Sequence, residues 1–206
     1  MPHTFAILFN IKNSCKMRAI ACFLLLPMLF STLNAQNQNN FERKGFIFGT
    51  ALGLSSLNLI FINKPSQNET SLSFPNFKIG TMISPKTALI LYLPGSIYTF
   101  KNEGRERDRG FEAITPSLQY WLKGRFWILG GAGLGMDAPA FYDIKNETER
   151  KFYFGGSALA GTGYEVWRKG KCALDLQARV HYGTAKFPEG VRSGLAFNFM
   201  VGFNWY

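Results

Sequence analysis

Residues Leu195 to Tyr206 read LAFNFMVGFNWY, and through this stretch large apolar side chains alternate with small or polar ones. Successive side chains of an extended strand point to opposite faces. Leu195, Phe197, Phe199, Val201, Phe203 and Trp205 therefore share one face, and Ala196, Asn198, Met200, Gly202 and Asn204 share the other. An unbroken row of large apolar residues against a small and polar row fits a strand with lipid outside and a polar lumen inside. The expected fold class is all-β.

The same alternation runs upstream. In 172–183, Leu174, Leu176, Ala178, Val180 and Tyr182 oppose Ala173, Asp175, Gln177, Arg179 and His181. In 45–57, Phe46, Phe48, Thr50, Leu52 and Leu54 oppose Ile47, Gly49, Ala51, Gly53 and Ser55. In 76–84, Phe77, Ile79, Thr81 and Ile83 oppose Lys78, Gly80, Met82 and Ser84. In 111–122, Ile114, Leu118, Tyr120 and Leu122 face outward, with Thr115, Ser117, Gln119 and Trp121 inward. Residues 87–100 are apolar on both faces and broken at Pro94-Gly95, which reads as a bend or bulge. Glycine-rich strands are expected at 125–136 and 152–167, and the last strand from about 193 to the terminus. Eight strands result.

Their connections alternate in length. Ser84-Pro85-Lys86-Thr87, Lys123-Gly124 and Arg168-Lys169-Gly170 are tight turns. The other four, roughly 58–75, 101–110, 137–151 and 184–192, read as longer polar loops. Short turns on one side and long loops on the other describe a bacterial eight-stranded antiparallel up-and-down transmembrane β-barrel. Tyr120, Phe126, Tyr164, Phe203 and Trp205 cluster at the short-turn end, where an interfacial aromatic girdle belongs.

The N-terminus fits export. Residues 19–30, AIACFLLLPMLF, form an apolar core followed by STLNA, so 1–35 reads as a signal peptide removed after Ala35. Translation from Met17 would give a more compact signal. Twelve apolar residues are short of the roughly 20 a helical span needs, and Cys22 lies too early in the core for a lipoprotein cysteine. Residues 36–44 then form a short N-terminal periplasmic segment and 45–206 the barrel. The mature 171 residues keep 20 basic against 13 acidic side chains. Many of the basic residues lie in connections, among them Arg105, Arg107, Arg109, Arg168, Lys169 and Lys171, so no nucleic-acid partner is expected. One mature cysteine, Cys172, and one histidine, His181, exclude an intramolecular disulfide and argue against a Cys/His metal site.

Eight strands enclose an interior that side chains can just fill. Lys78, Gln119, Glu165, Asp175, Gln177, Arg179, His181 and Asn198 face it and are expected to pair as a structural plug. Gly155, Gly161 and Gly163 are expected to leave room for Arg179 and His181. GGAGLG at 130–135 carries nucleotide-loop spacing but no helix follows, so it reads as barrel wall. The triplets Asn68-Glu69-Thr70 and Asn146-Glu147-Thr148 are expected in exposed loops.

The run Gly161 to Trp167 into a basic turn, the strand Ala178 to Gly183 and the ending Val201 to Tyr206 resemble the small outer-membrane β-barrel family, OmpX/OmpA-barrel-like in its Bacteroidetes-type form. The resemblance spans nearly the whole mature chain. It implies a cell outer membrane location, contact with outer-membrane lipid and lipopolysaccharide, and recognition by the insertion machinery during biogenesis. Such chains usually end on an aromatic in the lipid-facing phase, whereas here Trp205 keeps that phase and Tyr206 lies one residue beyond.

The expected function is non-enzymatic: a monomeric barrel with a structural, interaction or adhesion role through its extracellular loops, without cofactor, metal or catalytic residues. Two alternatives compete with it. Lipid A deacylases of the PagL type use a His-x-Ser pair with a glutamate, and His181-Tyr182-Gly183-Thr184 resembles the histidine end. Gly183 stands where the serine is required, and Thr184 faces away from His181. A small-ligand-binding barrel of lipocalin type would be apolar inside and polar outside, the reverse of the last two strands.

Overall fold

A computed structural model describes residues 41–60, 66–102, 105–140 and 151–206. The expected signal peptide, the segment 36–40 and the Asn146 triplet lie outside the described residues. Nine strand segments follow in order: β1 Phe46–Ile60, β2 Gln67–Ser73, β3 Asn76–Ser84, β4 Thr87–Asn102, β5 Arg105–Lys123, β6 Phe126–Pro139, β7 Tyr153–Lys169, β8 Cys172–Phe187 and β9 Gly190–Trp205. All pairings are antiparallel, and β9 returns to β1 in register from Phe48↔Trp205 to Ile60↔Ser193. The sheet is closed.

The nine segments occupy eight wall positions. On its other edge β1 pairs first with β3, from Phe46↔Thr81 to Thr50↔Phe77, and then with β2, from Gly53↔Ser73 to Leu59↔Gln67. β2 and β3 are thus one wall strand interrupted at Phe74-Pro75, where proline supplies no N–H to a ladder. The sequence reading placed β2 in a loop. Its outward residues Asn68 and Thr70 are exposed and polar, so it carries no lipid-facing row by which to find it.

Alternation sets the faces as expected. Exposed Phe48, Leu52, Leu54, Ile79, Leu118, Leu176, Phe199 and Val201 belong to a continuous apolar outer wall, and the girdle residues Tyr120, Phe126, Tyr164, Phe203 and Trp205 are exposed with them. The inner side holds buried Lys78, Gln119, Glu165, Asp175, Gln177, Arg179, His181 and Asn198. An apolar exterior around a polar interior is the arrangement of a membrane barrel and rules out the lipocalin type.

The three tight turns form where expected, with Gly124 and Gly170 at positive φ (36° and 57°). Beside each turn the register shifts, at Met82/Ser84, Trp121/Lys123 and Glu165/Trp167. The opposite connections differ from expectation. β4 and β5 pair out to Asn102↔Arg105, and β8 and β9 out to Phe187↔Gly190, so 101–102, 105–110, 184–187 and 190–192 are paired strand and not loop. Residues 66–73, within the expected first loop, are largely β2, which also carries Asn68-Glu69-Thr70.

Pro94-Gly95 makes no bulge. The β4–β5 register runs from Tyr92↔Thr115 to Gly95↔Glu112 without a shift. Gly95 is needed for another reason: a Cβ there would lie 2.6 Å from Pro75 Cδ and 2.8 Å from the Phe74 carbonyl oxygen. The glycine admits the break between β2 and β3.

Candidate functional site

The interior is built in tiers, each made by the inward residues of several strands. At the short-turn end the fully buried Glu165 carboxylate accepts from Arg43 Nη2 (2.7 Å), Arg168 Nε, Trp121 Nε1 (2.9 Å) and the Tyr206 hydroxyl (2.8 Å). Arg43 also stacks over Trp121, 4.5 Å from the ring centroid. Tyr206, out of phase for lipid, turns inward and packs edge-on against Trp121 and Phe41. The N-terminal approach and the C-terminus together close this end.

Above it, Asp175 accepts from Trp127 Nε1 (3.1 Å), Gln177 Nε2 (2.7 Å) and Asn204 Nδ2 (3.0 Å). Lys78 donates to Gln119 Oε1 (3.0 Å) and lies 5.3 Å from the Trp127 ring centroid. Neutral donors hold the carboxylate and a neutral acceptor holds the amine.

The middle tier is a cluster of small polar residues around a guanidinium. Arg179 Nη1 donates to Tyr92 OH (2.8 Å) and Nη2 to Ser73 Oγ (3.3 Å). Asn198 Oδ1 accepts from Ser73 Oγ (2.8 Å) and Ser96 Oγ (3.3 Å), and Ser96 shares a 2.8 Å bond with Ser55. At the hairpin end Asp137 accepts from Arg109, Arg192 and Tyr98. Arg192 lies 4.0 Å from the Phe187 centroid, and Phe187 stacks on Tyr153 at 3.8 Å. Each end of the interior thus carries a carboxylate holding two arginines beside aromatic rings.

Between the middle tier and Asp137, His181 Nε2 meets Ser157 Oγ at 3.1 Å, with Phe111 against the imidazole (centroids 4.8 Å). Along its own strand His181 has no serine within reach, since Gly183 stands at the next inward position. Ser157 comes from β7, and only the β7–β8 register, with Ser157↔Gly183 and Leu159↔His181, brings it there. Both side chains are buried, and no described group partners His181 Nδ1. A serine–histidine contact without a group to orient the imidazole is an incomplete nucleophile–base arrangement.

The glycine expectation is met only in part. Gly161 packs against the Arg179 stem, with Cβ and Cγ 3.6 Å from its ideal Cβ position. Gly163 makes room for Trp127 instead, whose ring lies 2.3 Å from that point, and Gly155 lies against the Thr184 backbone. Space beside His181 is made by Gly183, where Phe111 enters. Among the described residues no cluster of His, Cys, Asp and Glu could hold a metal.

No protein-family model and no curated protein sequence matches the chain. Solved structures do. Ail, the attachment invasion locus protein of Yersinia pestis, aligns with a TM-score of 0.51 at 10% identity, over 79% of this chain and 99% of its own. The same protein in complex with the heparin analogue sucrose octasulfate aligns at 0.50 and 11% identity, with the same shares covered. Neisserial surface protein A aligns at 0.52 and 14% identity, over 78% of this chain and 96% of its own. Together with the apolar wall and polar interior, these likenesses identify the fold as an eight-stranded outer-membrane β-barrel.

Proposed function

We propose that this chain is a non-enzymatic platform of the cell outer membrane, anchored by its barrel and meeting partners outside the cell through its projecting hairpins. Strand length carries the reading. A membrane β-strand needs roughly 9–11 residues, whereas β4 has 16, β5 has 19 and β8 and β9 have 16 each. With the girdle at the short-turn end, the excess emerges on the other side as paired strand extensions. The outer end of β5 carries Arg105-Glu106-Arg107-Asp108, an alternating charge pattern suited to polar contacts.

The filled interior supports the same reading, since the side chains of an eight-stranded barrel occupy its lumen and leave no aqueous channel. The apolar wall would meet outer-membrane lipid, with lipopolysaccharide at the outer leaflet and the short-turn end in the periplasm. A protein of the same architecture is an attachment protein that has been crystallised with a heparin analogue. That makes adhesion, and sulfated glycans as a first probe, a concrete form of the proposal.

The test is to display the chain on a non-adherent Gram-negative host and measure attachment to epithelial cells and to immobilised heparin. A variant with 99–108 replaced by an Asn-Gly turn should still insert and should lose attachment. Attachment no better than vector alone, or undiminished in the shortened variant, would overturn the proposal. In the same cells lipid A should keep all its acyl chains by mass spectrometry. Loss of one that depended on His181 would favour a deacylase.

A further inference from the structure

The closed sheet has one place where the ladder fails. Below Pro94, β4 pairs with β3, ending at Asn76↔Pro94. Beyond it β4 faces β2, and among the described residues no backbone ladder joins the two. Side chains stitch this seam instead. Ser73 Oγ reaches the Gly95 carbonyl (3.2 Å), the Gly95 N–H reaches Asn76 Oδ1 (3.4 Å), Glu69 Oε2 accepts from the Thr99 N–H (2.9 Å) and Gln67 Nε2 donates to the Thr99 carbonyl (3.0 Å). Such links release more readily than a continuous ladder, because each depends on one rotamer and not on a cooperative row. On the outer face the seam begins beside exposed apolar Leu72 and passes to exposed polar Thr70 and Asn68.

Directly behind the seam is Arg179. It is 4% exposed, its Nε has no partner, and no carboxylate approaches it within ion-pair distance among the described residues. The other interior arginines do have acids: Arg43 and Arg168 share Glu165, and Arg109 and Arg192 share Asp137. Arg179 has only Tyr92, at the hydroxyl and beneath the ring (5.1 Å to the centroid), and Ser73. A buried cation held by neutral groups alone is poorly compensated, and a guanidinium presents a planar fork suited to a carboxylate or phosphate. Ser73 belongs to both features, since the same hydroxyl stitches the seam and accepts from Arg179.

We propose that Arg179 heads a binding site for a single-chain amphiphile with a compact anionic head, a carboxylate or a phosphate, reached sideways from the outer leaflet between β2 and β4. The head pairs with the guanidinium among Ser73, Ser96 and Asn198, and the acyl tail remains at the seam beside Leu72. The site rests on the membrane-barrel fold and is independent of what the hairpins contact.

The test is native mass spectrometry of the purified barrel released from a neutral detergent, with oleate, dodecyl phosphate, oleyl alcohol or acetate added at equal concentration. Wild type should carry one oleate or one dodecyl phosphate, the preferred head identifying the natural class, and neither oleyl alcohol nor acetate. Arg179→Gln should reduce the bound fraction at least about tenfold, equivalent to ~1.4 kcal/mol of binding. Ser73→Asp places a carboxylate beside the guanidinium, so it should abolish the adduct while the barrel still shows the heat-modifiable gel mobility of the folded state. That second variant decides the matter should Arg179→Gln fail to fold. Equal binding of oleyl alcohol, binding of acetate as tight as that of oleate, or an adduct retained in Ser73→Asp would overturn the proposal.

Discussion

At the scale of single residues the chain is governed by which side of a wall one Cβ faces. Phe199 is 71% exposed and Asn198, its neighbour, 1%. Phe199→Arg should cost ~2–4 kcal/mol if the site lies near the bilayer midplane, and refolding into liposomes followed by gel mobility should show impaired insertion. Asn198→Ser keeps an oxygen to accept from Ser73 or Ser96 and should insert like wild type. Equal insertion of both variants would mean that the phase of β9 is misassigned. The alternation that predicts this is local and was legible from LAFNFMVGFNWY. The partners of Asn198 were not, because Ser73 and Ser96 lie more than a hundred residues away in the chain.

At the scale of elements the reading succeeded where lipid imposes a pattern and failed where it does not. β8 and β9 were visible because their outward rows are apolar. β2 and the outer ends of β4, β5, β8 and β9 read as loops in the sequence because they extend past the apolar belt, where polar outward residues cost nothing. The break between β2 and β3 has a consequence that can be measured. A valine at Gly95 would drive its Cβ into Pro75 and the Phe74 carbonyl (2.6 and 2.8 Å), and overpacking of this kind costs ~1–3 kcal/mol. Gly95→Val should therefore lower the temperature at which the barrel loses its folded gel mobility. Gly130→Ala, with nothing within 4 Å of its Cβ position, should leave that temperature unchanged. Similar melting of the two variants would contradict the packing described at the seam.

At the scale of the molecule the interior decides what the barrel can transmit. Glu165 with its two arginines occupies one end and Asp137 with its two arginines the other. Reconstituted in planar bilayers, the protein should show no stable unitary current of porin size, and reproducible large currents from the monomer would show that these tiers part. Sequence alone determined that the chain is a membrane barrel, how its strands are phased and that Lys78, Glu165, Asp175 and Arg179 lie inside, because a period of two between lipid and lumen is a local property of each strand; the buried Arg109, Asp137 and Arg192 fell in segments that read as loops. Tertiary structure alone decided which charges meet. It pairs Glu165 with Arg43 across the closed end, leaves Arg179 among neutral partners, brings Ser157 to His181 and opens the ladder between β2 and β4. Each depends on the register between strands and on closure of the ring, which join residues far apart in the chain and leave no mark on the spacing within any one strand.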